Sequence, residues 1–352
     1  MSNKATKVLV INGFKENVTK YEGDFLVDTW INPRKRVDSS FSFPVFERLY
    51  DAVVGYRRVV AEDYDLIVCS VFGVSMGRSF ATRTLKWICE KVMIWQTINL
   101  SQKTRTPLAV VDVVDDLTIH PINRPLLEAS TLYFKRELSL DPFHAFESFD
   151  SNPMRKVLYF YRHCPDRDAW RKKLVPIPLG VRDQETILEP KKAVEKRFDL
   201  FYCGGVSGRP RREGWDEIIQ ELERRGRKVF YPVEPLPFEE YLEAMRDSKL
   251  ALSPPGAGWD CHRTYEAAFV GTVPVTSFPI ICRWMPFRGN REALFYDTEQ
   301  DLPSQLDAML EHSEDLDQIA KEAHTLAVGY HTQAHHFQMV VETTLETWDA
   351  RN

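Results

Sequence analysis

The sequence predicts an α/β protein built from two parallel-sheet domains, and three observations carry that expectation. Short apolar runs alternate with longer amphipathic stretches, and this rhythm occurs twice along the chain. A charged, weakly apolar segment, ILEPKKAVEKRF, interrupts it near Glu189–Arg197, as a hinge or linker does. The stretch Leu252 to Ser277, LSPPGAGWDCHRTYEAAFVGTVPVTS, reads as strand, Pro/Gly loop, short helix and second strand. A chain of 352 residues has room for two cores. The expected division is 1–190, 197–330 and a terminal helix within 331–352.

Taken in order, strands are expected at Lys7–Ile11, Leu66–Val71, Leu108–Val113, Val157–Tyr161 and Leu174–Ile177. Helical patterns fall at Val45–Ala61, Gly77–Ile94 and Arg124–Glu137. The second half opens with a strand at Phe198–Cys203, followed by a helix at Arg211–Arg225, a strand at Lys228–Tyr231 and a helix at Phe238–Ser248. Leu250, Ala251 and Leu252 end a buried strand that Pro254, Pro255 and Gly256 cannot continue. Gly271 closes the next helix, Val273-Pro274-Val275 begins a strand, and Ala293–Tyr296 forms another. Two terminal helices, Asp315–Val328 and Ala334–Trp348, show heptad-like apolar spacing. There is no internal repeat and no low-complexity segment.

Composition narrows the function classes. With 43% apolar and 28% charged residues the chain is ordinary globular material. Its net charge of −5 argues against a broadly basic nucleic-acid surface, although Lys15, Lys20, Arg34, Lys35 and Arg36 hint at a local one. The six cysteines form no CxxC pair, which favours free thiols in a reducing cytosol over a disulfide frame or a zinc site. The first residues enter a strand with no signal-like apolar segment, and no run approaches the length of a membrane span.

The chemistry concentrates between Leu252 and Ser277. A strand feeding a helix N-terminus through a Pro255–Gly256 loop is a ready anion site, because free N–H groups and the helix dipole face the ligand. His262, Arg263 and Glu266 occupy the first turn. Arg263 supplies a fork of donors suited to phosphate, and Glu266 an acceptor pair suited to vicinal sugar hydroxyls. Together they describe a pocket for a sugar nucleotide. A second glycine-rich turn, YCGGVSGRPRR, contains Gly205, Arg209 and Arg212 and leads into a helix, where backbone can hold phosphate. It lacks the Gly-Lys-Ser/Thr of a Walker loop and the full dinucleotide fingerprint. A solvated turn is the alternative.

The pattern P-x-G, R-x-x-E-A and G-x-x-P-V, carried here by Pro254, Gly256, Arg263, Glu266, Ala267, Gly271, Pro274 and Val275, resembles the nucleotide-sugar site of GT-B glycosyltransferases, most closely the exostosin-like branch. The resemblance implies two Rossmann-like domains facing a central cleft, with the acceptor on the first and the donor on the second. It implies that Glu266 holds ribose, that Arg263 faces the pyrophosphate, and that Arg212 or Arg209 approaches the donor phosphates. It also implies a terminal helix that packs back on the N-terminal domain. Many retaining members carry a second Glu eight positions earlier, where this chain has Gly258, so stereochemistry stays open. An exostosin-like enzyme of the animal secretory pathway usually carries an anchor. A cytoplasmic microbial or viral enzyme therefore fits better.

The N-terminal half is expected to supply the acceptor site and any base. Asp112, Asp115, Asp116 and His120 follow a strand in AVVDVVDDLTIH, at the edge where open α/β sheets bind ligands. The next segment, YFKREL, resembles one found in exostosin-like enzymes; Lys135 and Arg136 would meet phosphate or acceptor, braced by Glu137. Helix capping by the aspartates and a solvated Lys135–Arg136 face are the plain alternatives. Gly13, after Asn12, and Gly73, after Ser70 and Phe72, enter the cleft or are ordinary turns. Asp166-Arg167-Asp168 matches a three-residue metal signature without its context, and His331, His335 and His336 read as a solvated helix face, so no metal is expected.

The expected activity is metal-independent transfer of a sugar from a nucleotide-sugar co-substrate, UDP-linked, to a saccharide or other hydroxyl acceptor. Three rivals share the fold: a viral enzyme glycosylating hydroxylated DNA bases, a sugar-nucleotide epimerase, and a non-catalytic nucleotide-sugar-binding module.

Overall fold

The apolar runs read from the sequence form strands in two separate parallel sheets. The computed structural model describes residues 5–12, 25–30, 56–72, 80–146, 166–181, 190–204, 213–232, 234–256, 258–296 and 301–351. The chain divides into two compact units, Met1–Ile177 with Phe337–Asn352, and Pro178–His336.

In the first unit, β1 (Thr6–Ile11), β2 (Phe25–Trp30), β3 (Leu66–Ser70), β4 (Leu108–Asp112), β5 (Leu132–Lys135) and β6 (Leu174–Pro176) lie in the order β2-β1-β3-β4-β5-β6, all parallel. Central strands of such a sheet are covered on both faces, which is why LIVCS and LAVVD are apolar almost throughout. Helices α1 (Phe80–Thr104), α2 (Arg124–Ala129) and α3 (Arg167–Arg171) contribute Met93, Leu126 and Trp170 to the core around Ile11, Ile67, Val110 and Tyr133.

Two elements of this unit differ from the expectation. The helix expected over Arg124–Glu137 stops at Ala129, where Ser130 turns extended, and residues 132–135 form strand β5. The aromatic LYFK run is bonded on both sides by β4 and β6 and fully buried, and that pairing outweighs the helical reading of the charged residues after it. Strand β2 was not anticipated. The expected strand Val157–Tyr161 lies outside the described residues, as does most of the helix expected at Val45–Ala61, of which residues 56–60 are helical.

The second unit holds β7 (Phe198–Phe201), β8 (Val229–Phe230), β9 (Ser248–Leu252), β10 (Val273–Ser277) and β11 (Leu294–Tyr296) in the parallel order β11-β10-β9-β7-β8. Alternation along β9 sends Leu250 and Leu252 to one face and Ala251 to the other. The first face is covered by α4 (Glu213–Arg224), α7 (Leu302–Leu310) and α8 (Ser313–Tyr330) through Trp215, Ile219, Leu306 and Ile319. The second receives α5 (Phe238–Arg246) and α6 (His262–Phe269) through Tyr241, Met245 and Ala267. Helix α9 (Gln333–Asp349) begins in this unit and ends in the first.

The charged segment expected to be a linker is fastened to the second unit. Ala193 N–H donates to Asp317 at 2.6 Å, Arg197 pairs with Asp247 at 2.6 Å, and Lys191 pairs with Asp247 as well. Gly271 lies against this segment with φ +70°; a Cβ there would stand 2.3 Å from Cβ of Pro190. Lys196 is buried, and its ammonium donates to Ser248 O at 3.0 Å, Gly271 O at 2.7 Å and Thr272 Oγ1 at 3.1 Å. Burial brings its pKa down to about 7 against the opposing pull of Asp317 and Asp247. The folded chain therefore holds this proton more weakly than the unfolded chain does. The stability Lys196 contributes is present above the ordinary lysine pKa and is lost as pH falls through about 7. Lys196→Met is expected to flatten the rise of stability with pH across that window. By leaving two carbonyls without their donor it should also cost about 1–3 kcal/mol. Urea denaturation of both proteins, near neutrality and in mild alkali, checks both effects.

Candidate functional site

In the second sheet the strand order reverses at β7, which has β8 on one side and β9 on the other. The carboxyl ends of β7 and β9 therefore flank the point at which such sheets take ligands. After β9 the chain runs through Ser253, whose hydroxyl meets that of Thr264 at 2.8 Å, to Pro255 and Gly256, both partly exposed. Gly256 N–H is spent on Gly258 O at 2.9 Å, so the loop closes on itself there. Helix α6 then starts at Cys261, which gives no side-chain cap to the first-turn N–H groups.

Arg263 stands on that first turn with its guanidinium carbon 5.6 Å from the centre of the Tyr202 ring, at the end of β7. Its Nε is buried and has no hydrogen-bond partner among the described residues. Burial opposes its charge, yet Cys261, Tyr241, Tyr202 and Glu266 outweigh that and hold its pKa above the usual guanidinium value. Glu266, one turn on, is fully buried and accepts from the Tyr241 hydroxyl at 2.9 Å.

The residues flanking Arg263 are tied down instead. Asp260, 4% exposed, accepts from Leu179 N–H at 2.7 Å and from the Tyr265 hydroxyl at 2.7 Å, and its carboxylate lies 3.3 Å from Arg283 Nε. His262 Nδ1 is 2.7 Å from Gly180 O, an oxygen that only accepts, so Nδ1 carries the proton. Gly180 has φ +65°, and a Cβ there would meet His331 O at 2.5 Å and His336 Cε1 at 2.4 Å. Residues 178–181 are thus clasped between the loop ahead of α6 and residues 331–336.

In the first unit the order reverses between β1 and β3. Asn12, at φ 61°, bridges that point by donating to Val71 O at 3.0 Å and Ser70 O at 3.3 Å. On the same edge, the aspartates after β4 have unequal surroundings. Asp112 is buried and accepts from the Tyr133 hydroxyl at 2.8 Å, the Lys135 ammonium at 3.2 Å and Val114 N–H at 3.1 Å. Asp115 pairs with Arg136, which also donates to the buried Glu137 at 3.0 Å. Asp116 is half-buried and has no hydrogen bond or ion pair among the described residues. Burial raises its pKa; Lys135 opposes, and the carboxylates of Asp112 and Asp115 push the same way as burial. His120 accepts from Ile122 N–H at 3.3 Å, and burial lowers its pKa.

Residues 182–342 match the family described as Glycosyl transferase-like. Nearly the whole chain also resembles three solved structures in fold. One is Anabaena HepE in complex with UDP, at 12% identity over 96% of this chain and 99% of that one, TM-score 0.51. The second is a glycosyltransferase from Rickettsia africae ESF-5, at 11% identity over 97% and 98%, TM-score 0.51. The third is sucrose-phosphate synthase from Thermosynechococcus elongatus, at 11% identity over 99% and 100%, TM-score 0.52. The chain has the GT-B fold. No curated protein sequence matches it.

In this fold the structure brings Arg263, Glu266 and His262 onto one helical turn, with Pro255 and Gly256 in the loop before it. Gly205, Arg209 and Arg212, like Gly13 and Gly73, lie outside the described residues. Lys135 and Arg136 do not form a solvated face: they are 0% and 5% exposed and engaged by carboxylates. Asp168 is exposed beside Arg171 at 3.8 Å. Among the described residues no three His, Cys, Asp or Glu side chains group as a metal site. The sequence reading overlooked Asp260, Tyr202 and Tyr241, whose partners are distant along the chain.

Two of the histidines expected on a solvated helix face lie elsewhere. His331 and His336 are buried among Tyr265, Phe287 and Trp284, because His331 ends α8 and turns inward instead of continuing an exposed helical face. His331 Nε2 donates to Met285 O at 2.8 Å, while its Nδ1 is buried without a hydrogen-bond partner among the described residues. Burial lowers its pKa to about 4, with Met285 O and Asp260 opposing. The stability that the neutral ring contributes is present above its ordinary value of 6.5 and is lost as pH falls through about 4, amounting to about 3 kcal/mol. His331→Phe is expected to remove much of the Tm decline across that window, which calorimetry at a series of pH values measures.

Proposed function

We propose that the chain moves a sugar from a UDP-linked donor to a saccharide or other hydroxyl acceptor without a metal, as an exostosin-like glycosyltransferase of a microbial or virus-infected cytosol. The observation that carries this reading is Arg263: a guanidinium on an uncapped first turn, backed by an aromatic ring, with a buried Nε that no described residue satisfies. A half-buried guanidinium with one N–H unmet at a helix N-terminus suits an anion, and a pyrophosphate supplies one. The UDP found in HepE supports the same donor class. Cys69, Cys89, Cys203, Cys261 and Cys282 form no disulfide among the described residues, which suits a reducing compartment.

In this reading the second unit binds the donor. Arg263, with Arg212 and Arg209 from the glycine-rich turn at Gly205, neutralises the charge that grows on the leaving pyrophosphate, a role that dispenses with a divalent ion. Glu266, steadied by Tyr241, serves the ribose hydroxyls. The first unit binds the acceptor. Asp116 accepts the proton of the acceptor hydroxyl as its oxygen attacks the anomeric carbon and the bond to the nucleotide breaks. Its raised pKa suits a base, while Asp112 and Asp115 are already committed to cations. A protein base belongs with inversion, in keeping with Gly258 at the position of the retaining glutamate.

Three results are expected. Arg263→Ala weakens UDP binding in calorimetric titration by about tenfold to a hundredfold, the loss of one charge-assisted contact. Asp116→Asn binds UDP normally but lowers turnover by about 10²- to 10⁴-fold in a UDP-release assay against an acceptor panel. EDTA leaves turnover unchanged. Absence of thermal stabilisation by every nucleotide and nucleotide sugar, with and without magnesium or manganese, would overturn the donor assignment.

A further inference from the structure

Helix α1 is apolar on two opposite faces. One presents Cys89, Met93 and Leu100 to the first unit's interior. The other carries Trp87, Lys91 and Trp95, spaced four residues apart along one stripe, with Ile88 beside Trp87. Trp87 is 54%, Ile88 44% and Trp95 63% exposed. The Lys91 ammonium rests 5.7 Å from the Trp87 ring centre. Large apolar side chains left in water in this number mark a contact surface.

Charge indicates what covers it. The helix sequence holds Arg83, Lys86, Lys91 and Lys103 against one acid, Glu90, which is buried, and exposed Arg105 follows. This is a basic stretch in a chain of net charge −5. Tryptophan and lysine together suit the boundary between lipid headgroups and acyl chains: indole spans the polarity step, and lysine meets anionic headgroups from an apolar stem. No helix among the described residues is long and apolar enough to cross a membrane, so the contact would lie along the surface. A second copy of the chain is a poorer occupant. Three exposed apolar side chains fall well short of the roughly 800 Å² per partner of a stable interface. Two-fold pairing would also tend to set this basic stretch against its own copy.

We propose that the Trp87–Trp95 face of α1 docks this protein on an anionic membrane surface. The proposal stands apart from the donor assignment, since its test needs no nucleotide sugar. The full chain is floated with vesicles of phosphatidylcholine alone or mixed with phosphatidylglycerol, and with brominated acyl chains to quench any indole that enters the bilayer. The wild type is expected to bind the mixed vesicles, to show quenching, and to release at about 0.5 M salt. The double variant Trp87→Ser, Trp95→Ser should bind at least about tenfold less with an unchanged Tm, and Lys91→Glu should weaken binding on anionic vesicles. Failure of the wild type to bind mixed vesicles overturns the proposal. So does equal binding by the double variant. A wild-type dimer that the double variant converts to monomer, with no vesicle binding by either, overturns it in favour of self-association.

Discussion

Asp260 is a carboxylate with almost no exposure, and the local order of the second unit hangs on satisfying it. A buried charge is tolerated only when matched and hydrogen-bonded, and here a guanidinium, a phenol and a backbone N–H all converge on one side chain. Each comes from a different place: Arg283 beyond β10, Tyr265 on α6, and Leu179 just past the start of the unit. Meeting the needs of one carboxylate therefore sets the approach to α6, the helix itself and the incoming chain together. His262 and Gly180 repeat the tie one residue along. A loop held this firmly presents Arg263 in a defined position without Arg263 taking part in the holding.

The same economy appears in both units: ionised groups cluster, most are matched, and one is left over. Around α6, Asp260 is answered by Arg283, which leaves Nε of Arg263 without a hydrogen-bond partner among the described residues. After β4, Asp112 is answered by Lys135 and Asp115 by Arg136, which leaves Asp116. A buried carboxylate matched by a cation organises its surroundings but has little left to offer a ligand, whereas a half-buried remainder keeps its capacity for one. The matched residues also make the remainder what it is, since Asp112 and Asp115 both act on the proton affinity of Asp116.

The fold was legible wherever local pattern and tertiary role agreed. Runs such as LIVCS and LAVVD are apolar because both faces of a parallel strand are covered, so they announce themselves. Arg263 and Glu266 were legible because a proline–glycine loop before a helix is a local arrangement. Legibility failed where distant partners decide. LYFK leads into charged residues and reads as the end of a helix until β4 and β6 flank it. His331 looks like surface until the Tyr265 and Phe287 rings close over it. Asp260 shows nothing in its neighbours that foretells Leu179, 81 positions away. Lys135 and Arg136 misled in the opposite sense, since charge suggested solvent and the acids that bury them lie about twenty residues earlier.

Helix α9 carries a consequence for how the molecule is made. Phe337, Val340 and Val341 are buried, and the Phe337 ring meets that of Phe25 on β2 at 5.9 Å. These residues belong to the first unit, yet they emerge from the ribosome after every residue of the second. The first unit therefore cannot complete its core until the segment after His336 has followed the whole of the second, and until then an apolar flank stays open. For that interval the earlier-born half keeps an apolar flank open to chaperones and to misassociation.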